Sequence, residues 1–250
     1  MTLKTLDGAL DLLGFFSAKR PIWGVRELAK ESEVHYSVVH RVLATFAAHG
    51  VLLQNPTTSK YSLGLRLYEL GQLVHKTISP NDVVQPMLEA LARESGETVF
   101  LSWLDGLEGL CLDMVHSQYP LRFSIEPGER FALHAGSHAK AMLAFQSESF
   151  RNVVYDRGVA GFPELSPLDR AAIEASLGLI REAGWAYTEN ETASHVAGLA
   201  VPLRTRDRQV IGAVAIAGPD ERLNRTAIPK LLAPLLLARD QLERVIGLLR

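Results

Sequence analysis

The stretch SEVHYSVVHRVLATFAAHGVLL, residues 32–53, decides the fold of the first third of the chain. Its apolar residues recur at three- and four-residue steps, which is typical of an amphipathic helix, and Gly50 ends the pattern. We predict a helix from Ser37 to His49, with Ser37 as its N-cap or in its first turn. The same periodicity assigns its buried face to Val38, Val42 and Phe46.

A shorter helix and a hairpin flank this segment. Residues 25–32, VRELAKES, have a helical pattern, and a tight turn around residues 33–36 joins it to the longer helix. After Gly50, the strand-like runs VLLQ and KYSL enclose the polar turn residues 55–59. Two helices joined by a tight turn and followed by a hairpin have the order of a winged helix-turn-helix, whose second helix fits the major groove of DNA.

Polar residues of the longer helix and of the hairpin are candidate DNA contacts. Ser37, His40 and Arg41 are three and four residues apart and therefore share one face of the helix. Arginine and short hydroxyls near a helix start can bind phosphates and base edges, and hydroxyls on a wing suit the DNA backbone. The alternative is a protein–protein module with a solvated polar face. The predicted DNA-binding residues are Arg26, Tyr36, Ser37, His40, Arg41, Thr58 and Lys60.

Length and composition exclude several classes of protein. The 250 residues fit two domains, and a net charge of −2 argues against a polycation. The charge is uneven, +3 over residues 1–77 and −5 over the rest, so the first part suits a polyanion. The single cysteine, Cys111, allows neither an intramolecular disulfide nor a thiolate cage. Without a signal-peptide pattern or a membrane-spanning run, we expect a soluble, cytoplasmic protein with no membrane partner.

The remainder of the chain predicts a linker helix and a second domain. After residue 80, helices and strands mix in α+β order, typical of an antiparallel sheet flanked by helices. We predict a winged helix-turn-helix over residues 1–64, a linker helix over 65–79 and an α+β domain over 80–250. The linker helix carries more apolar residues than docking on a small winged domain needs. We therefore expect it to pair subunits into a dimer or a dimer of dimers.

From TLDGALDLLGFF near the start to PLRTRDRQVIGAVAIAGPDERL near the end, the chain resembles the IclR family of bacterial transcription regulators. The same resemblance extends through the segment LEALARESGETVFLSWLDGLEGLCLDMVHSQYPLRF. It implies that the N-terminal winged helix binds a double-stranded operator. It also implies a C-terminal domain with a GAF/PAS-like fold that binds a small organic acid, often aromatic, and assembly as dimers or tetramers. The expected protein is a regulator, with no enzymatic activity and no cofactor.

Several positions depart from the family pattern. The family's HATALGKALLA element resembles HAGSHAKAMLA here, with His138 and Ala139 in place of leucine and glycine. In ENETASHVAGLAVP, His195 and Gly198 stand at the family's glycine and cysteine positions. A pocket lined by that cysteine therefore cannot be transferred to this chain. In the DNA-binding part, Gly8 and Tyr36 stand where the family usually has basic residues, so direct DNA contacts differ as well.

The histidines of the second domain allow three interpretations. His134 and His138 are four residues apart, the spacing of one helical face and of paired metal ligands. With His195 they form an effector pocket, a metal centre of a metal-dependent hydrolase, or simply structural contacts. We expect Glu189 and Glu191 to favour the protonated imidazoles. The predicted effector-binding residues are Trp103, Phe123, His134, Ser137, His138, Met142, Glu189, Glu191 and His195.

Overall fold

The computed structural model describes residues 3–78, 81–120, 122–123, 125–158 and 169–248. It divides into two compact units, Met1–His75 and Lys76–Arg250. Helices and antiparallel strands occur in both, so the predicted α+β class is confirmed. The predicted border between residues 79 and 80 lies outside the described residues. Within the described ranges, no helix combines the length and the apolar character needed to cross a membrane.

The first unit has the predicted order of a winged helix-turn-helix. Its three strands form a small antiparallel sheet in the order β1-β3-β2. The core between helices and sheet contains Leu28, Val39, Leu43, Trp23 and Tyr61. The elements are α1 (Lys4–Leu13), β1 (Ile22–Trp23), α2 (Val25–Glu31), α3 (Tyr36–Ala48), β2 (Leu52–Gln54) and β3 (Tyr61–Leu63), followed by α4 (Leu65–Ile78).

The fully buried residues of α3 are not the predicted ones. Val39 and Leu43, spaced i and i+4, are fully buried against the core, whereas Val38 is 37% exposed. The predicted Val42 and Phe46 are half-buried and pack against the same core. Together with Val38 they line a groove of about 490 Å³ beside α1. Both stripes are spaced correctly for a helix, and the packing of the neighbouring elements decides which one the core covers.

The second unit is a six-stranded antiparallel sheet with helices on both faces. The strand order is β6-β5-β4-β9-β8-β7. The strands are β4 (Thr98–Asp105), β5 (Glu108–Val115), β6 (Arg130–Ala132), β7 (Ala186–Glu189), β8 (Val196–Arg204) and β9 (Val210–Pro219). The helices are α5 (Asn81–Ser95), α6 (Ser137–Leu143), α7 (Glu148–Arg157), α8 (Arg170–Ala183) and α9 (Ile228–Leu248).

Strand alternation separates the two faces of this sheet. On one face, Val99 and Leu101 of β4 pack with apolar residues of α5 and α9. On the other face, Phe100 of β4 packs with residues of α6, α7 and α8. Both layers are therefore needed to bury the sheet. The second face, with α6 against β8 and β9, holds the candidate effector site.

Candidate functional site

The N-terminal half of α3 presents polar side chains to solvent. Ser37 and Arg41 are one helical turn apart and lie on the side of α3 opposite Val39, because two residues along a helix turn the direction by about 200°. His40 and Tyr36 flank them, with ring centroids 6.2 Å apart and an interplanar angle of 21°. All four predicted contact residues on α3 are exposed.

The start of α3 is fixed by a histidine that the sequence did not reveal as a cap. The helix begins at Tyr36, and the backbone N–H of Ser37 donates to Nδ1 of the N-cap residue His35 at 3.3 Å. The Ser37 hydroxyl lies 2.8 Å from the same nitrogen. Ser37 is therefore in the first turn, and the helix ends at Ala48 with His49 as C-cap. Histidine is not a preferred N-cap residue, which is why the pattern pointed to Ser37.

The wing turn between β2 and β3 is closed by its own polar groups. Asn55 Oδ1 accepts the backbone N–H groups of Thr57 and Thr58, both at 2.9 Å. Ser59 has φ of +56°, and the Thr58 hydroxyl accepts the N–H of Lys60 at 3.4 Å. The Lys60 ammonium lies 2.8 Å from Glu27 Oε1 of α2. Thr58 is therefore exposed on a defined turn, and Arg26, beside Glu27, is exposed as well.

In the second unit, a small cavity lies at the start of α6. Its volume is about 10 Å³, room for about one water molecule. The predicted residues Phe123, Ser137 and His138 line it together. The other lining residues, which the sequence analysis missed, are Gly136, Thr188, Thr192, Val196, Ala197, Gly198 and Ala217.

Gly198 and Ser137 limit the size of this cavity. A Cβ atom at position 198 would overlap the Ser137 hydroxyl, so a side chain at 198 requires Ser137 to move. The cysteine that the family resemblance expects at 198 therefore has no room beside this serine. Ser137 thus fills the space beside Gly198, and a pocket lined by that cysteine cannot be transferred to this chain.

His138 is a neutral residue in an aromatic environment. Its ring is 4% exposed and contacts Phe100 and Phe131 edge-on, with centroid distances of 4.8 and 4.2 Å. Burial lowers the pKa of His138 to about 3, so the imidazole is uncharged at neutral pH. Its Nε2 has no hydrogen-bond partner among the described residues. The prediction that carboxylates would favour the protonated imidazole is therefore wrong at this position.

His134 does not share a helical face with His138. It lies in the turn before α6, because Gly136, with φ of +88°, is the N-cap residue of that helix. Burial also lowers the pKa of His134; Lys140 acts in the same direction and Glu191 opposes it. Its Nε2, like that of His138, has no hydrogen-bond partner in the described part of the chain. The spacing-based link between the two histidines is thus incorrect.

Glu191 holds the start of α6 in place. Its Oε2 accepts the backbone N–H of Gly136 at 3.0 Å, and its Oε1 lies 2.6 Å from the ammonium of the buried Lys140. A buried ammonium requires a counter-charge, which Glu191 supplies. Glu191 therefore stands behind the cavity wall and is not among the residues that line the cavity.

The remaining predicted effector residues lie elsewhere. Trp103 packs with the layer on the opposite face of the sheet, and Met142 is fully buried in the core. Glu189 accepts the Tyr187 hydroxyl, and alternation along β7 places it on the other face from Thr188. His195 is 87% exposed, with Nδ1 3.6 Å from Asp220 Oδ2. The expected pocket that joins His138 and His195 is not formed.

The metal-centre interpretation finds no support in the described ranges. They contain no group of three or more His, Cys, Asp or Glu side chains that could hold a metal ion. His138 is buried in the core and His195 is on the surface, so these two do not converge. Burial raises the pKa of the Cys111 thiol to about 12, which leaves no thiolate at neutral pH.

Both units match models of known protein domains. Residues 5–56 match the IclR helix-turn-helix domain, and residues 74–244 match the bacterial transcriptional regulator IclR C-terminal domain. The regulator XynR of Escherichia coli is 26% identical over 246 residues, 98% of each chain. The glycerol operon regulatory protein of Streptomyces griseus is 30% identical over 222 residues, 88% of this chain and 87% of that protein.

Solved structures agree with this assignment. An IclR regulator of Silicibacter sp. has a TM-score of 0.86 at 27% identity and covers 97% of this chain and 96% of its own. An IclR homolog of Microbacterium hydrocarbonoxydans, complexed with 4-hydroxybenzoate, has the same fold, with a TM-score of 0.79 at 22% identity and coverage of 97% and 98%. Such proteins are DNA-binding transcriptional regulators with a C-terminal ligand-binding domain. The chain belongs to the IclR family of bacterial transcriptional regulators.

Proposed function

We propose that this protein binds a two-fold symmetric operator through α3 and the wing, and that an aromatic organic acid bound in the second unit controls this binding. The observation that carries the proposal is the solvent-facing set Ser37, His40 and Arg41 on the helix that the match places within a helix-turn-helix domain. Reading both halves of such an operator requires two copies of the chain, so we also propose a homo-oligomer.

The proposed DNA contacts divide into two kinds. Ser37, His40 and Arg41, with Tyr36 beside them, face the base edges in the major groove. The proposed contacts to the backbone are Arg26, Thr58 and Lys60, since phosphate contacts fix the register of a protein on DNA. Lys60 is half-buried and the other residues of both sets are exposed, so neither set must leave a core contact in order to reach DNA. The closed wing turn also supports this division.

The operator proposal is tested by footprinting on the DNA beside the protein's own gene, followed by binding measurements on the protected segment. We expect Arg41→Ala to weaken operator binding by about 1–3 kcal/mol, the typical contribution of one arginine contact. Arg93→Ala is the matched control, because it removes the same charge from an exposed position on α5 of the second unit. If Arg41→Ala binds the operator as well as Arg93→Ala does, α3 does not read the DNA as proposed.

For the effector we propose the cavity at the start of α6, with Phe123, Ser137, His138 and Thr188 as its contacts. A neutral imidazole offers a hydrogen bond and no charge, so His138 suits a phenol hydroxyl better than a carboxylate. The aromatic rings around His138 suit a flat ring. The homolog that binds 4-hydroxybenzoate supports this class of ligand. Because the cavity holds about one water molecule, the acid must widen it on binding.

Calorimetry on the full chain tests the effector proposal with 4-hydroxybenzoate, benzoate and short aliphatic acids. We expect the phenolic acid to bind most tightly. His138→Ala should weaken the binding of this acid by about tenfold, which corresponds to the free energy of one good hydrogen bond. His195→Ala is the control, because His195 lies on the surface. Equal binding of every acid by parent and His138→Ala would contradict the site, and tighter binding of aliphatic acids would contradict the ligand class.

A further inference from the structure

Arg20 is held in one position at the base of the wing. Its guanidinium carbon lies 3.4 Å from the ring centroid of Trp23. Trp23 is itself fixed, since it is 3% exposed and its Nε1 donates to the Phe15 carbonyl at 2.9 Å. The backbone of Arg20 is fixed as well, because its N–H donates to the Ser17 hydroxyl at 3.2 Å. The ring contact restrains the side chain of this surface arginine, and the hydrogen bond restrains its backbone.

Lys60 reaches the same place from the wing. Trp23 and Tyr61 are paired across β1 and β3, so Lys60 stands at the end of the strand beside Trp23. Glu27 joins the two cations: its Oε1 lies 2.8 Å from the Lys60 ammonium and its Oε2 lies 3.6 Å from Nη2 of Arg20. Glu27 Oε2 also accepts the backbone N–H of Gly24 at 3.2 Å.

The three side chains carry an excess positive charge. The hydrogen bond from Lys60 is the main cause of a lowered pKa of Glu27, so this carboxyl is ionised at neutral pH. One carboxylate stands between two cations, which leaves a local charge of +1 for this cluster. Arg20 is 46% exposed and Lys60 44% exposed, so both retain N–H donors that face water.

We infer that Arg20 and Lys60 together bind the phosphate backbone of DNA, with Trp23 and Glu27 as the residues that position them. Arginine offers a planar set of donors that matches phosphate oxygens, and lysine adds a compact charge. Half-exposed ion pairs contribute little to stability, whereas cations that are already ordered lose less entropy when a phosphate binds. The inference rests on the proposed binding of DNA, and it adds Arg20 to the expected contacts.

The competing explanation is that Arg20 only covers the ring of Trp23. The two explanations differ in what removal of the charge does. A covering residue affects the stability of the first unit and leaves DNA binding unchanged. Loss of a phosphate contact weakens binding to every DNA sequence equally, because the backbone is the same in all of them. Such a loss also changes the salt dependence of binding.

The test uses the full chain, a duplex with the footprinted segment and an unrelated duplex, with binding measured at several KCl concentrations. We expect Arg20→Gln, which keeps a planar group over Trp23, to weaken binding to both duplexes by the same factor. The slope of log affinity against log salt should fall in magnitude by about one. Arg20→Lys should keep the parent slope, because it keeps the charge. Arg93→Ala controls for the loss of one charge far along the sequence.

The results of this experiment distinguish a phosphate contact by Arg20 from a purely structural role. If Arg20→Gln shows the affinity and slope of Arg93→Ala, Arg20 is a structural cover and the inference is overturned. A loss confined to the footprinted duplex would also overturn it, because that result means base contact. A parent protein that binds no DNA refutes the proposed function itself, which is a separate failure. Trp23 emission in a Trp103→Phe/Trp185→Phe background verifies folding, and Lys60→Ala provides a second variant with the same expected loss of slope.

Discussion

At the scale of single residues, His138 shows what sequence spacing can and cannot reveal. The spacing of His134 and His138 placed His138 on a helix, and it does lie in the first turn of α6, whereas His134 does not. The charge state of His138 did not follow from the spacing, because it depends on burial against Phe100 of β4 and Phe131 of β6, a contact that the sequence pattern does not predict. Burial among these rings lowers the pKa of His138 and so removes the charge.

The buried neutral state of His138 makes the second unit sensitive to acid. Its pKa is about 3 in the folded chain and about 6.5 when unfolded, so the unfolded chain binds more protons between these values. The free energy of unfolding should therefore fall as the pH decreases through this window. From pH 7 to pH 5, His138 accounts for a loss of about 2 kcal/mol.

Replacement by a residue that does not titrate removes this loss. We expect the difference in unfolding free energy between pH 7 and pH 5 to be smaller in His138→Met than in the parent by about 2 kcal/mol. Urea unfolding, followed by Trp103 and Trp185 in a Trp23→Phe background, measures it. His195→Asn is the control, because it replaces a histidine on the surface and leaves the buried ring of His138 in place. The same pH dependence in the parent and in His138→Met would mean that the folded chain binds the proton of His138 as readily as the unfolded chain does.

At the scale of elements, α3 was predicted to within one residue at each end, but its fully buried residues are not the predicted ones. Val38 and Val42 are spaced as regularly as Val39 and Leu43, so periodicity alone gives two equivalent stripes. The choice depends on contacts with other elements of the core. The solvent-facing set Ser37 and Arg41 survives this error, because it lies on the side opposite Val39.

The cap of α3 gives a prediction at the same scale. His35→Ala removes the acceptor for the Ser37 N–H, so the unfolding free energy of the first unit should fall by about 1 kcal/mol. His35→Asn should restore it, since asparagine is a preferred N-cap residue. Urea unfolding followed by Trp23 in a Trp103→Phe/Trp185→Phe background reports on this unit alone. If His35→Ala and His35→Asn are equally stable, the ring nitrogen does not act as a cap.

At the scale of the whole molecule, the order of elements was predictable, and the lining of the cavity was predictable only in part. Turn residues, helix periods and hairpins are local patterns, and they led to the winged helix-turn-helix and the sheet. The cavity brings together Phe123, Ser137, Thr188, Gly198 and Ala217, which are far apart in the sequence. No local pattern links these segments. Alternation along β7 places Thr188 on the side of α6, and this can be recognised only once the strand order is known.

Assembly provides the last prediction, because α4 carries large apolar side chains in contact with water. Leu65, Tyr68, Leu70 and Val74 are all exposed, and Leu70 and Val74 are one helical turn apart on the same face. An exposed apolar face of this kind marks a protein–protein contact. We propose that a second copy of α4 covers it, and that sedimentation at micromolar concentration will show a dimer or a tetramer.

Charges on this face should break the assembly. We expect Leu70→Glu/Val74→Glu to sediment with at most about half the parent mass, because two added carboxylates oppose their copies across a two-fold interface. Operator affinity should fall with the mass, since a symmetric site needs two recognition helices held together. Leu70→Met/Val74→Ile keeps the face apolar and should assemble like the parent. A charged variant that still sediments at the parent mass, or a monomeric parent that binds the operator tightly, would show that α4 does not pair the subunits.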